Sequence, residues 1–137
     1  MSLQETLEAA LETYAVLAIP GLTILRGPAS TPDVEGNGRA LVVRMVRASA
    51  TRLDFSQTEW RDTFALTFFW SRAGYTRSQA IDDWEAFRLV MDTAEGLTLG
   101  NPGITLERAW LSSMAWGEAV DGHFRTLVAT VEMDRVE

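Results

Sequence analysis

A chain of 137 residues with 47 % hydrophobic and 23 % charged residues has the size and balance of one globular domain, 1–137. Its net charge of −7 argues against a grip on nucleic acid through phosphates. The absence of cysteine removes disulfides, thiolate catalysis and cysteine metal sites.

Chain order begins with a capping-box pattern, Ser2 and Glu5, followed by Leu3, Leu7, Ala10, Leu11 and Tyr14 at spacings of three and four. This predicts an amphipathic helix, with Glu5, Glu8 and Glu12 mostly on its solvated side. Pro20-Gly21 ends it. The apolar run Tyr14–Ile19 is far shorter than the ~18–20 residues of a membrane span. It also follows acids rather than the basic start of a signal peptide, so secretion by a signal peptide and membrane insertion are not expected.

Leu22 to Arg26 is a short strand candidate. Gly27 to Gly38 then holds three glycines, two prolines and one aliphatic side chain larger than alanine, Val34, so it reads as a long loop of the kind that often binds partners. Arg39 to Arg47 is a second strand, with Leu41, Val43 and Met45 on one face and Arg44 in the middle of the other. Trp60 to Trp70 is the strongest strand. Its face of Trp60, Phe64, Leu66, Phe68 and Trp70 is interrupted by Asp62, where an unpaired carboxylate would be costly. An arginine partner, or a place at the frayed start of the strand, would account for it. Ala48 to Gln57 is longer than a tight hairpin and leaves the register between these strands open.

Thr76 and Gln79 form another capping box. Ala80, Ile81, Trp84, Phe87, Met91 and Ala94 trace a helical stripe ending near Gly96, with Asp82 and Asp83 on the exposed side. Leu97 to Gly103 is turn-rich, Ile104 to Trp110 a strand, and Ser112 to Gly122 an irregular extension. Phe124 to Arg135 closes the chain, with Leu127, Ala129, Val131 and Met133 alternating against polar positions. The fold class is therefore α+β: a single mostly antiparallel sheet of about five strands with two helices packed on one face, in the order α-β-β-β-α-β-β.

Catalytic signals are weak. His123 is the one histidine and stands beside a turn; Gly36-Asn-Gly38 leads into a strand and lacks the third glycine of a dinucleotide loop. No cofactor or metal is expected, and no enzymatic activity. Trp60, Trp70, Trp84 and Phe87 belong to the core stripes, whereas Trp110 and Trp116 follow less regular segments and suit an exposed or interfacial indole. All twelve basic residues are arginine, whose planar fork suits carboxylate pairing at interfaces, although GC-rich coding gives the same bias.

The element order, the strand Trp60-Arg-Asp-Thr-Phe-Ala-Leu-Thr-Phe-Phe-Trp70, the Leu99-Gly-Asn-Pro-Gly103 turn and the closing Gly122–Glu132 strand together resemble the tail-terminator (tail-completion, minor tail protein U-like) proteins of long-tailed phages and phage-derived particles. The resemblance implies a structural virion or prophage protein. Its subunits would form a homohexameric ring that caps the tail tube, stops its polymerisation and joins it to the head. Implied partners are further copies of the chain, the tail-tube protein and a head-completion or connector protein, with DNA only as passing cargo. The implied location is the virion tail, or the host cytoplasm during assembly. Candidate partner or subunit contacts are Asp33, Val34, Glu35 and Asn37 of the long loop, Arg39, Arg44 and Arg61 of the strands, and Trp110 and Trp116.

Two other readings are compatible with the sequence. One is a small α+β ligand-binding or enzyme domain with an apolar pocket between sheet and helices; the other is an adaptor acting through one surface. A pocket enzyme places titratable groups on inward faces, where only Asp62 and Arg44 qualify.

Overall fold

The computed structural model describes residues 2–25, 38–52, 54, 56–93, 105–118 and 122–136, with the side chains of residues 93, 105–107 and 118 left aside. The elements are α1 (Leu3–Ala18), β1 (Thr23–Leu25), β2 (Arg39–Arg52), β3 (Thr58–Ser71), α2 (Arg77–Thr93), β4 (Thr105–Glu118) and β5 (Phe124–Val136). They form one five-stranded sheet in the order β1-β2-β3-β5-β4, with β1 parallel to β2 and the other pairs antiparallel. The predicted α+β class and element order are those observed.

Both helices begin as their capping boxes require. In α1 the Glu5 N–H donates to Ser2 Oγ at 3.2 Å while the Ser2 N–H reaches Glu5 Oε1 at 3.4 Å. In α2 the Gln79 N–H donates to Thr76 Oγ1 at 3.2 Å and the Thr76 N–H to Gln79 Oε1 at 2.8 Å. The turn after α1 closes with the Leu22 N–H on the Ile19 carbonyl at 3.2 Å and needs Gly21 at φ +84°, where a side chain would be strained.

One face of the sheet makes the core. Leu41, Val43, Phe64, Leu66, Phe68, Trp70, Leu127, Ala129, Val131 and Met133 are buried against Leu7, Leu11 and Ala15 of α1 and Ala80, Trp84, Phe87 and Met91 of α2. Phe68 lies at its centre, with ring centroids 5.2 Å from Phe87, 5.8 Å from Trp70 and 6.1 Å from Trp84. Burial of such rings contributes roughly 1.5–3 kcal/mol each, beyond which aromatic pairing adds a smaller increment.

Several sequence expectations are corrected here. β2 does not stop near Arg47: it continues to Arg52 and pairs with β3 down to Arg52↔Thr58, so the open register is settled. The hairpin is closed by Asp54, whose Oδ1 accepts the Ser56 N–H at 2.7 Å and the Gln57 N–H at 2.8 Å. Those bonds, led by the one from the Ser56 backbone, hold the Asp54 carboxyl below its usual value.

The expected strand to Trp110 and irregular tail likewise form one strand, β4, with register shifts at Leu106/Arg108 and Leu111/Ser113. Each bulge inserts a residue and breaks the simple alternation that marks a strand in sequence. α2 ends at Thr93; Gly96, Ala94 and the Leu99–Gly103 turn lie outside the described residues.

The acidic side of α1 is not wholly solvated either. Glu12 is buried, and Glu8 accepts the Met45 N–H at 3.1 Å. That bond sits beside the bulge between Met45 and Arg47, beyond the end of β1, and gives a partner to a backbone donor next to the irregularity. Asp83, expected on an exposed helix side, instead accepts the Trp70 indole N–H and one Arg39 N–H at 2.9 and 2.8 Å. Asp82 is exposed as expected.

Asp62 is buried on the core face and meets Arg135 across the sheet, Nε to Oδ2 at 2.6 Å. The arginine partner, not a frayed strand end, is what accounts for it. The Arg135 guanidinium also lies 5.2 Å from the centre of the Trp60 ring.

Candidate assembly surface

The sheet face away from the core is built by the alternate residues of the same strands. Cross-strand register places Arg61 of β3 opposite Asp134 of β5, and Asp134 opposite Arg108 of β4, in one row. The next row holds Thr63, Glu132 and Trp110. β2 extends the surface with Arg47 opposite Thr63 and Ser49 opposite Arg61.

Asp134 is the centre of this row. Its carboxylate accepts Arg61 Nε at 2.9 Å and Nη2 at 3.2 Å, and Arg108 Nε at 2.9 Å. The acid is 3 % exposed, whereas Arg61 and Arg108 are 46 % and 62 % exposed. The hydrogen bond from Arg61 is the chief cause that holds the Asp134 carboxyl below its ordinary value, against the opposing effect of burial, with Arg108 adding to it. The same pairing raises the Arg61 guanidinium.

Trp110 completes the cluster. Its ring lies 4.3 Å from the Arg108 guanidinium and 5.1 Å from that of Arg61. Each of these cations is thus fixed by a carboxylate and an aromatic ring, which holds a long side chain in a defined place on an open surface. Both keep N–H donors beyond those given to Asp134, and among the described residues no other hydrogen-bond acceptor takes them. A cleft of about 320 Å³ beside Arg61 is lined by Arg47, Ser49, Thr51 and Glu59. Such a surface can bind carboxylates and carbonyls of another chain.

The other predicted contact residues fall elsewhere. Arg44 is exposed on β2. Arg39 is held within the molecule: its Nη1 pairs with Asp83, Nη2 donates to the Pro20 carbonyl, and the guanidinium lies 5.4 Å from the Tyr75 ring centre. Trp116 is 37 % exposed near the far end of β4 and packs on Trp70, centroids 5.6 Å apart. Asp33, Val34, Glu35 and Asn37 lie outside the described residues. The structure therefore brings Arg61 and Trp110 together and adds Arg108 and Asp134, which sequence reasoning missed.

Among the described residues, no group of three or more histidines, aspartates or glutamates could hold a metal ion. No helix described is long and apolar enough to cross a membrane. His123 is exposed, and its carbonyl accepts the Arg72 N–H at 3.0 Å.

No protein-family model matches the sequence, and no curated protein matches it. Among solved structures, the chain is similar to one in a structure titled "Virion of native gene transfer agent (GTA) particle". The two share 13 % identity at a TM-score of 0.60, and the match covers 96 % of this chain and 95 % of the other. At that identity the likeness establishes a common fold.

Proposed function

We propose that this chain is a structural protein of a phage-derived particle, and within it a tail terminator. Copies of the chain form a ring, expected to be a hexamer, that caps the tail tube, stops its polymerisation and meets a head-completion or connector protein. DNA passes through without being held by this chain.

The observation that carries the reading is the end-to-end correspondence in fold with a chain of a gene transfer agent virion. Almost all of each chain is covered, so the likeness extends over the whole fold and is not limited to a shared hairpin or helix pair. The Arg61–Asp134–Arg108 row with Trp110 supplies a fixed, donor-rich surface of the kind a heterologous ring contact uses, where one patch meets a different patch on the neighbour.

The alternative of a ligand-binding or enzyme domain requires an apolar pocket between sheet and helices. That space is occupied by Phe64, Phe68, Trp70 and Phe87, all fully buried, which favours the structural reading.

Deleting the gene tests the proposal. Electron microscopy of the lysate should show tails of uncontrolled length without joined heads, restored by the wild-type gene in trans. Tails of normal, uniform length joined to heads would overturn it.

A further inference from the structure

A second cationic feature lies on the other side of the sheet, apart from the Arg61 row. Where β3 ends and α2 begins, Arg72, Arg77 and Arg125 line a cleft of about 200 Å³ together with Trp116 and Gly117. Three guanidiniums share this small space in a chain whose net charge is −7.

Several independent features leave the charge of two of them, Arg77 and Arg125, locally unsatisfied. Arg125 Nε is buried and has no hydrogen-bond partner, a state that costs free energy unless an acceptor arrives. Among the described side chains, neither Arg77 nor Arg125 has a carboxylate partner. Arg77 also opens α2, whose first turn contains no acid, so a cation sits at the positive end of a helix dipole where an anion is favoured. Trp116, packed at a 34° tilt against Trp70, gives the cleft an apolar wall beside its donors.

We propose that this cleft is a binding site for a carboxylate-bearing peptide segment of a partner protein, with an aspartate or glutamate against Arg77 and Arg125 and a neighbouring apolar side chain on the Trp116 indole. Guanidinium forks bind carboxylates through paired charge-assisted bonds. A long polyanion such as DNA is disfavoured, because the remaining surface of an acidic protein repels it while only one small patch attracts. The inference goes beyond the proposed ring, since it requires only an acidic partner segment and not a particular place in a particle.

The test is NMR of the intact chain, following the Arg125 Nε–H and Trp116 indole signals. The probe is a short acetylated peptide with adjacent aspartates and a leucine, and its asparagine counterpart is the control. The expected result is saturable shifts of both signals with the acidic peptide, weakening as salt is raised, and about tenfold weaker binding for Arg77→Gln and for Arg125→Gln. Arg77 is exposed, so its variant keeps the fold even if that of Arg125 does not. No shift with the acidic peptide, equal binding of the asparagine peptide, unchanged affinity in Arg77→Gln, or binding confined to inorganic phosphate or a DNA oligonucleotide would each overturn the proposal.

Discussion

The indole N–H of Trp70, a fully buried residue on β3, donates to the Asp83 carboxylate of α2 at 2.9 Å. The same oxygen receives Arg39 at the start of β2, so one acid ties the helix to the ends of two central strands. Removing it leaves a buried indole donor without an acceptor and an arginine without its counter-ion. Asp83→Ala is therefore expected to lose about 1–3 kcal/mol in denaturant unfolding. The adjacent Asp82→Ala, on the exposed side, should stay within about 0.5 kcal/mol of the wild type.

The buried pair of Asp62 and Arg135 gives a different signature. Asp62→Ala removes the carboxylate from a guanidinium that is only 6 % exposed and should cost about 3–5 kcal/mol. Replacing both partners, Asp62→Leu with Arg135→Met, should recover most of that loss, because the desolvation of both charges is removed along with their attraction. A double variant as unstable as the single one would show that the pair contributes more than it costs to bury.

Asp134 makes the candidate assembly surface sensitive to acid. Its folded-state carboxyl is held below the usual value, principally by the hydrogen bond from Arg61. The stability it contributes is thus fully present above the ordinary carboxylate range and is lost as pH falls through the depressed value. The melting-temperature gap between wild type and Asp134→Asn should be constant near neutrality and shrink below about pH 4. Arg61 is raised by the same contact, so no corresponding loss is expected on the alkaline side of the working range. A gap that widens in acid would contradict the assignment.

Much of this arrangement was legible in the sequence because periodicity reports burial. The alternation of Phe64, Leu66, Phe68 and Trp70, and the stripe of Ala80, Trp84, Phe87 and Met91, predicted which faces meet, and those residues are buried together. The capping boxes at Ser2 and Thr76 fixed both helix starts. Strand lengths were less legible: bulges at Met45/Arg47, Leu106/Arg108 and Leu111/Ser113 shift the phase, and a strand that changes phase reads as a strand that ends.

The candidate assembly surface was half legible. Arg61 and Trp110 stood out as a strand-face cation and an irregularly placed indole. Asp134 and Arg108 did not, because their meeting depends on the order β3-β5-β4, which brings residues far apart in sequence into one row. The polar phase of β5 through Thr126, Thr130 and Glu132 continues to Asp134 and was the available signal. Asp83 was misread because helical spacing gives a residue's direction but not the length of its neighbours: the indole of Trp70 reaches it from the sheet below.

The central claim, that this chain is a structural part of a particle tail at its head-proximal end, is tested most directly by gold-labelled antibody against the chain on purified particles from producing cells, viewed by electron microscopy. The account predicts label at the junction of tail and head, on intact particles and on free finished tails alike. Particles without label, or label spread along the tube, would contradict it.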